Sequence, residues 1–212
     1  MTSGAVIPPA PPAGGAPRPG RAAATRAALL EAAREVFTSA GFAEASIAEV
    51  VARAGASVGS LYHHFGGKAD LFLAVYEAYA VRQETRSAAA VRAAKEAGVT
   101  DRVALFVAGA RAYLDGCWEE RDLARLFLAG GGPPGFDLVA RRRYREWTRR
   151  NAVLLEADES EPFGEALVLV LTTVTQEAGW EVAVCETADR AQRLAEEVLA
   201  LIARVGSPAR AR

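Results

Sequence analysis

Two histidines stand side by side, His63 and His64, within the stretch SVGSLYHHFGGK that runs from Ser57 to Lys68. Histidine, lysine and clustered glycines suit three kinds of site: a metal centre, a phosphate-cradling loop, or a helix that lies against another molecule. Geometry argues against the first. Adjacent helical residues point about 100° apart, whereas helical ligand pairs are spaced i, i+4. The chain has no other histidine, and Cys117 and Cys185 have no metal-ligand spacing. No metal and no cofactor are expected. A phosphate loop needs Gly-Lys-Ser/Thr after a strand, and the stretch offers neither.

The third reading fits the pattern. Leu61 and Phe65, four apart, share an inward face. Val58, Gly59, Tyr62 and His63 are then left outward, with Ser60 beside them. An outward glycine in so short a helix costs about 1 kcal/mol relative to alanine. Close approach of the backbone to a ligand explains it, and so does tight packing on a neighbouring helix. Tyrosine, histidine and serine hydroxyl or ring donors with a nearby lysine suit phosphate oxygens and base edges.

The elements around this helix must present it. Apolar residues recur at helical spacing almost everywhere after Arg21, and strand signals are nearly absent. A first helix is expected over 22–40, burying Leu29, Leu30, Ala33, Val36 and Phe37, with Gly41 ending it at positive φ. The second starts at SIAE, where Ser46 and Glu49 form a capping-box pattern, and ends at Gly55. Ser57 is an N-cap candidate for the third. Two short helices joined by Ala-Gly-Ala make a helix-turn-helix pattern. A long helix follows over 68–97, then others over 101–115, 119–129, 137–156, 163–184 and 187–204, with the GGGPPG loop between two of them.

Bulk properties set limits. The chain has 212 residues and a formal net charge of −1, so a wholly basic nucleic-acid protein is excluded while a local basic face is not. From Arg18 to Lys68 six Lys/Arg stand against four Asp/Glu, net +2, which predicts a moderate salt dependence of any DNA binding. Six of the ten prolines lie in the first 20 residues, read as a disordered arm; residues 206–212 are read as a disordered tail. The longest apolar run, ALVLVL, is far short of the ~20 residues of a membrane span. No membrane partner and a cytoplasmic location are expected.

Residues 25–72, TRAALLEAAREVFTSAGFAEASIAEVVARAGASVGSLYHHFGGKADLF, closely resemble the N-terminal DNA-binding domain of TetR-family transcriptional regulators. The resemblance rests on Gly41-Phe42, Ser46-Ile47, Ala54-Gly55, Ser57, Gly59, Leu61-Tyr62, His64-Phe65 and Lys68. Ala45, Val58 and Gly67 depart from residues frequent in the family. The resemblance implies an all-α fold: a three-helix helix-turn-helix DNA-binding domain, 21–67, followed by a helical ligand-binding and dimerisation domain, 68–205. It implies base-edge or sugar contacts from Ser60 and His63 and phosphate contacts from Tyr62, Lys68 and Ser46, beside an open Gly59; the apolar Val58, where a polar residue is common, suits a thymine methyl and would alter the preferred base. Arg53 and His64 are read as a solvated side chain and a half-packed one.

The larger region should supply a dimer surface and an effector site. The 163–184 helix is apolar nearly all round, with Phe163, Leu167, Val170, Leu171 and Val174 on one side and Leu169, Thr172 and Trp180 on another. The 187–204 helix carries a stripe of Leu194, Val198, Leu201 and Ile202. The resemblance implies that these two helices pair with a second copy to form a homodimer, although both could simply pack within the monomer. Phe106, Tyr113, Trp118, Phe127 and Trp147, with the polar Thr173, Gln176 and Glu177, are the candidate lining of a small-molecule effector pocket; aromatics at helical spacing equally suit a core. Thr172 and Thr175 would need partners if buried. The arginines at 141, 142, 143, 149 and 150 are read as a solvated face. No Ser/His/Asp set, Cys/His set or carboxylate pair points to an enzyme. The function expected is a ligand-responsive repressor that binds palindromic double-stranded DNA as a homodimer and is released by a largely apolar effector, with a ligand sensor that binds no DNA, or a helical enzyme on an apolar substrate, as rivals.

Overall fold

The computed structural model describes residues 20–157 and 164–206. Among them the chain forms nine helices and no strand: α1 Arg21–Glu44, α2 Ile47–Ala54, α3 Val58–Phe65, α4 Lys68–Glu96, α5 Arg102–Glu119, α6 Arg121–Leu128, α7 Phe136–Leu155, α8 Gly164–Val184 and α9 Ala188–Gly206. The expected arm and tail lie outside the described residues, save for Gly20 and Gly206, and so do Arg18 and Phe163.

The termini of the first three helices follow from their end residues. α1 bends at Gly41, whose φ of 72° lets the chain leave the helix and start one more turn before Ala45. Gly55, at φ 61°, ends α2 in the left-handed conformation and points the chain into α3. The Ser57 hydroxyl accepts a 3.1 Å hydrogen bond from the Ser60 amide and caps α3. The capping box expected at Ser46 does not form. Ser46 is the N-cap residue of α2 but its side chain caps nothing. Glu49 instead accepts from Arg53 at 2.7 Å, since a charged donor four residues on outcompetes a neutral amide.

Two apolar clusters hold the helices. One joins Leu29, Val36 and Phe37 of α1, Val50 of α2 and Leu61 of α3 to Leu71 and Phe72 of α4, Phe127 of α6 and Phe136 of α7. Its centre is a set of edge-on ring contacts in which Phe72 meets Phe37, Phe42, Phe127 and Phe136 at 5.2–5.3 Å. The helix-turn-helix core therefore runs on into the larger region without a break. The second cluster packs α5, α8 and α9 through Phe106, Leu114, Leu171, Val182, Leu199 and Ile202.

α8 is long and largely apolar. By length and composition it is apolar enough to cross a membrane. In the fold it packs against α5, α6, α7 and α9. The faces assigned to it divide differently: Leu171 and Thr172 are buried, while Leu169 and Val170 are exposed.

Candidate nucleic-acid interface and effector cavity

α3 turns Leu61 and Phe65 into the core and leaves its other side open. Val58 and Tyr62 are 47% and 52% exposed, and Gly59 and His63 lie beside them on the surface. A methyl group placed on Gly59 would meet only the Ser57 hydroxyl, at 3.9 Å. Packing on a neighbouring helix therefore does not explain this glycine, and the surface it opens faces outward. The rings of His63 and His64 sit edge to face at 5.2 Å. Among the described residues no group of three or more His, Cys, Asp or Glu side chains is placed to hold a metal ion.

Most charges of this module are already engaged. Arg53 pairs with Glu35 and Glu49, Arg34 with Glu31, and Arg26 lies over the Phe65 ring at 4.9 Å. Lys68, expected as a phosphate contact, is occupied within the chain. Its ammonium donates to the Ala43 carbonyl at 2.8 Å and sits 4.8 Å above the Phe42 ring. The outward face of α3 is thus lined mainly by hydroxyl and imidazole groups and one apolar side chain, with the exposed Ser46 hydroxyl at the start of α2.

An elongated cavity of about 1080 Å³ lies between α4 and α5 on one side and α7 on the other. On α4 it is lined from Tyr76 to Lys95, about 28 Å at 1.5 Å per residue. Five of the residues named from sequence line it: Phe106, Tyr113, Phe127, Trp147 and Gln176. Three do not. Trp118 lies at the end of α5 beneath the Arg121 guanidinium, 4.8 Å away. Thr173 shares a 2.7 Å hydrogen bond with Tyr144 on the exposed side of α8. Glu177 borders instead a separate, smaller hollow near Trp180, whose lining it shares with Gln176. Thr172 and Thr175 are buried and satisfied, the first accepting from Asn151 at 3.0 Å and the second donating to the Leu171 carbonyl at 2.7 Å.

Sequence reasoning missed the polar side of this cavity. Arg143, read as solvated, is 17% exposed and ion-paired with Glu77 and Glu84, and Arg150 shares Glu84. The signal was present: Glu77 and Glu84 are seven residues apart, as are Arg143 and Arg150, two matching registers at two-turn spacing. Burial pushes the Tyr76 phenol up to about 12, against an opposing pull from Arg143. It raises those of Tyr79 and Tyr113 further, and the Cys117 thiol to about 11. These groups stay neutral near pH 7, hydrogen-bonding rather than nucleophilic.

Comparison with known proteins agrees with this arrangement. Residues 29–75 match the family model described as bacterial regulatory proteins, tetR family. A curated relative from Mycolicibacterium smegmatis, the HTH-type transcriptional activator FasR, is 39% identical over 82 residues, 34% of this chain and 37% of that protein's length. A TetR-family regulator from Pectobacterium atrosepticum is 30% identical with a TM-score of 0.58, covering 86% of this chain and 94% of its own. A TetR-like regulator from Rhodococcus sp. RHA1, 22% identical, shares the fold at a TM-score of 0.65 over 88% of this chain and 97% of its own. The chain belongs to the TetR family of transcriptional regulators, which are DNA-binding proteins and not enzymes.

Proposed function

We propose that the chain acts in the cytoplasm as a homodimeric repressor that holds a palindromic DNA operator and releases it when a largely apolar effector enters the cavity. The observation that carries the DNA reading is the open face of α3, where Gly59 leaves its backbone uncovered for close approach to a groove. Ser60 and His63 serve base edges or sugar, Tyr62, Ser46 and Lys68 serve phosphates, and Val58 is placed for a thymine methyl. One such helix reads few bases, so two copies on half-sites one helical turn apart are required for a specific site.

The dimer reading is supported by apolar side chains left uncovered on α8 and α9. Leu169 and Leu201 are 53% and 56% exposed, and Val170, Val174 and Val205 are exposed with them. Such a patch on two adjacent helices suits a second copy of itself. The response to ligand is supported by the chain of rings from cavity to DNA module. Tyr76 and Phe127 line the cavity, Phe127 touches Phe72, and Phe72 touches Phe37 and Phe42. A ligand that shifts α4 by favouring one of two packings moves α1 and α3 with it, and a coupling of about 1–3 kcal/mol suffices for regulation.

An activator is the second reading, because the Mycolicibacterium smegmatis relative carries that name. Selection of bound fragments from random duplex DNA, followed by a reporter driven from the selected site, tests both. Enrichment of a palindrome whose reporter falls silent supports repression. A rise in the reporter favours activation, and no enrichment at all removes the DNA reading of α3.

A further inference from the structure

α4 and α7 form opposite walls of the cavity. α4 packs on α5 and α1 rather than on α7, so the space between the two walls is bridged by side chains. At the Phe72 end the bridge is aromatic, with Phe136 of α7 resting 4.9 Å from Tyr76. Further along it is ionic. Arg143 reaches back to Glu77 and Glu84, the latter at 2.8 Å, and Arg150 reaches the same Glu84 oxygen at 2.6 Å. One carboxylate thus holds two guanidiniums, each with more donors than Glu84 can accept.

The charge around this bridge is one-sided. The cavity lining also includes Arg92, Lys95 and Arg141, none of which has an ion-pair partner among the described residues, so that with Arg143 and Arg150 five cations stand against Glu84 and Asp137 of the lining and Glu77, which pairs with Arg143. The rest of the lining is largely apolar and aromatic, including Tyr79, Phe106, Phe127 and Trp147. A molecule that fits both parts has a long apolar body and a negative head. A neutral apolar molecule leaves the surplus cations unanswered, and a cationic one is repelled.

We propose that the cavity receives an anionic amphiphile whose head group binds Arg143 and Arg150 in place of Glu77 and Glu84, unlatching α7 from α4. This rests on the effector reading and specifies its chemistry. The exchange matters because Glu84 sits on the helix that carries the DNA module. While paired, it ties α4 to the far wall. Once the ligand anion takes both arginines, which suit a planar carboxylate bidentately, α4 keeps its apolar contacts but loses that tie. The ligand then discriminates between a latched and an unlatched chain, which is what a population shift requires.

Three probes of one chain length test the proposal: dodecanoate, 1-dodecanol and dodecyltrimethylammonium, each below its micelle concentration. Binding to the full chain is read by calorimetry and by tryptophan fluorescence, to which Trp147 of the cavity lining contributes. Dodecanoate is expected to bind at least about tenfold tighter than either other probe, the gain of one charge-assisted contact. Arg143→Gln should bring dodecanoate to the level of dodecanol while leaving dodecanol binding intact, which also shows that the variant is folded. Arg150→Gln should do the same in smaller measure. Glu84→Gln should tighten dodecanoate by about fivefold, since the internal competitor shared by both arginines is gone while Glu77 remains, and should raise amide hydrogen exchange along α4 without any probe. Equal binding by all three probes, an anion preference that survives Arg143→Gln, or weaker dodecanoate binding in Glu84→Gln overturns this proposal alone. If none of the probes binds, the effector reading of the cavity falls with it.

Discussion

Lys68 donates its ammonium to the carbonyl of Ala43 at 2.8 Å, twenty-five residues back in the chain. The bond closes the start of α4 onto the last turn of α1, with the Phe42 ring held beneath the charge. Lys68 is therefore a clamp within the DNA module as well as a cation at its surface.

Lys68→Ala should lower stability by about 1–2 kcal/mol, the sum of a charged hydrogen bond and a half-exposed cation–π contact. Urea denaturation reads this directly. Operator affinity should fall as well, and the slope of log affinity on log salt should shrink by about one per protomer. An unchanged slope removes Lys68 from the set of phosphate contacts and leaves it a clamp only.

Gly59→Ala separates stability from recognition. The methyl meets nothing closer than 3.9 Å in the free chain, so helix propensity should stabilise the fold by up to about 1 kcal/mol. Operator affinity should fall at the same time by about tenfold, because the new carbon occupies the closest approach to the groove. A variant that is more stable and binds DNA as well as the parent would show that the groove does not reach this backbone.

Leu169→Glu and Leu201→Glu each place a charge on the uncovered faces of α8 and α9. Sedimentation should shift from dimer toward monomer at micromolar concentration, with little change in helix content, since both side chains are exposed in the single chain. DNA binding should weaken with the loss of the second recognition helix. Sedimentation identical to the parent places the dimer contact elsewhere.

Gly179→Ala tests the packing behind the cavity. A methyl there would lie 2.8 Å from the Tyr113 ring and 3.0 Å from the Cys117 sulfur. Both neighbours are held by the α5–α8 contact, so the overpacking should cost about 1–3 kcal/mol. A lower thermal midpoint with a smaller capacity for ligand is the expected result, because Tyr113 lines the cavity.

The helix-turn-helix was legible because its information is local. Gly41, Gly55 and Ser57 act on the backbone within a few residues of themselves, and the i, i+4 pair Leu61 and Phe65 fixes which side of α3 faces out. Helix order and most boundaries followed from the same short-range rules. Ser46 was misjudged because Glu49 had a competing partner, Arg53, whose availability depends on the two helices it touches. The cavity was only partly legible. Phe106, Tyr113, Phe127, Trp147 and Gln176 carry the right residue types, but so do Trp118, Thr173 and Glu177, and a rotation of about 100° per residue separates lining from surface.

Sequence alone determined the helical architecture, the family of the DNA module and the outward face of its third helix, since periodicity and end residues act over one or two turns. Tertiary structure alone decided that Lys68 closes onto Ala43, that Arg143 bridges to Glu77 and Glu84 rather than facing water, and where the cavity runs. Those outcomes depend on which distant helices come within a few ångströms of each other, and charge pairing and cavity shape are properties of that distance rather than of any stretch of chain.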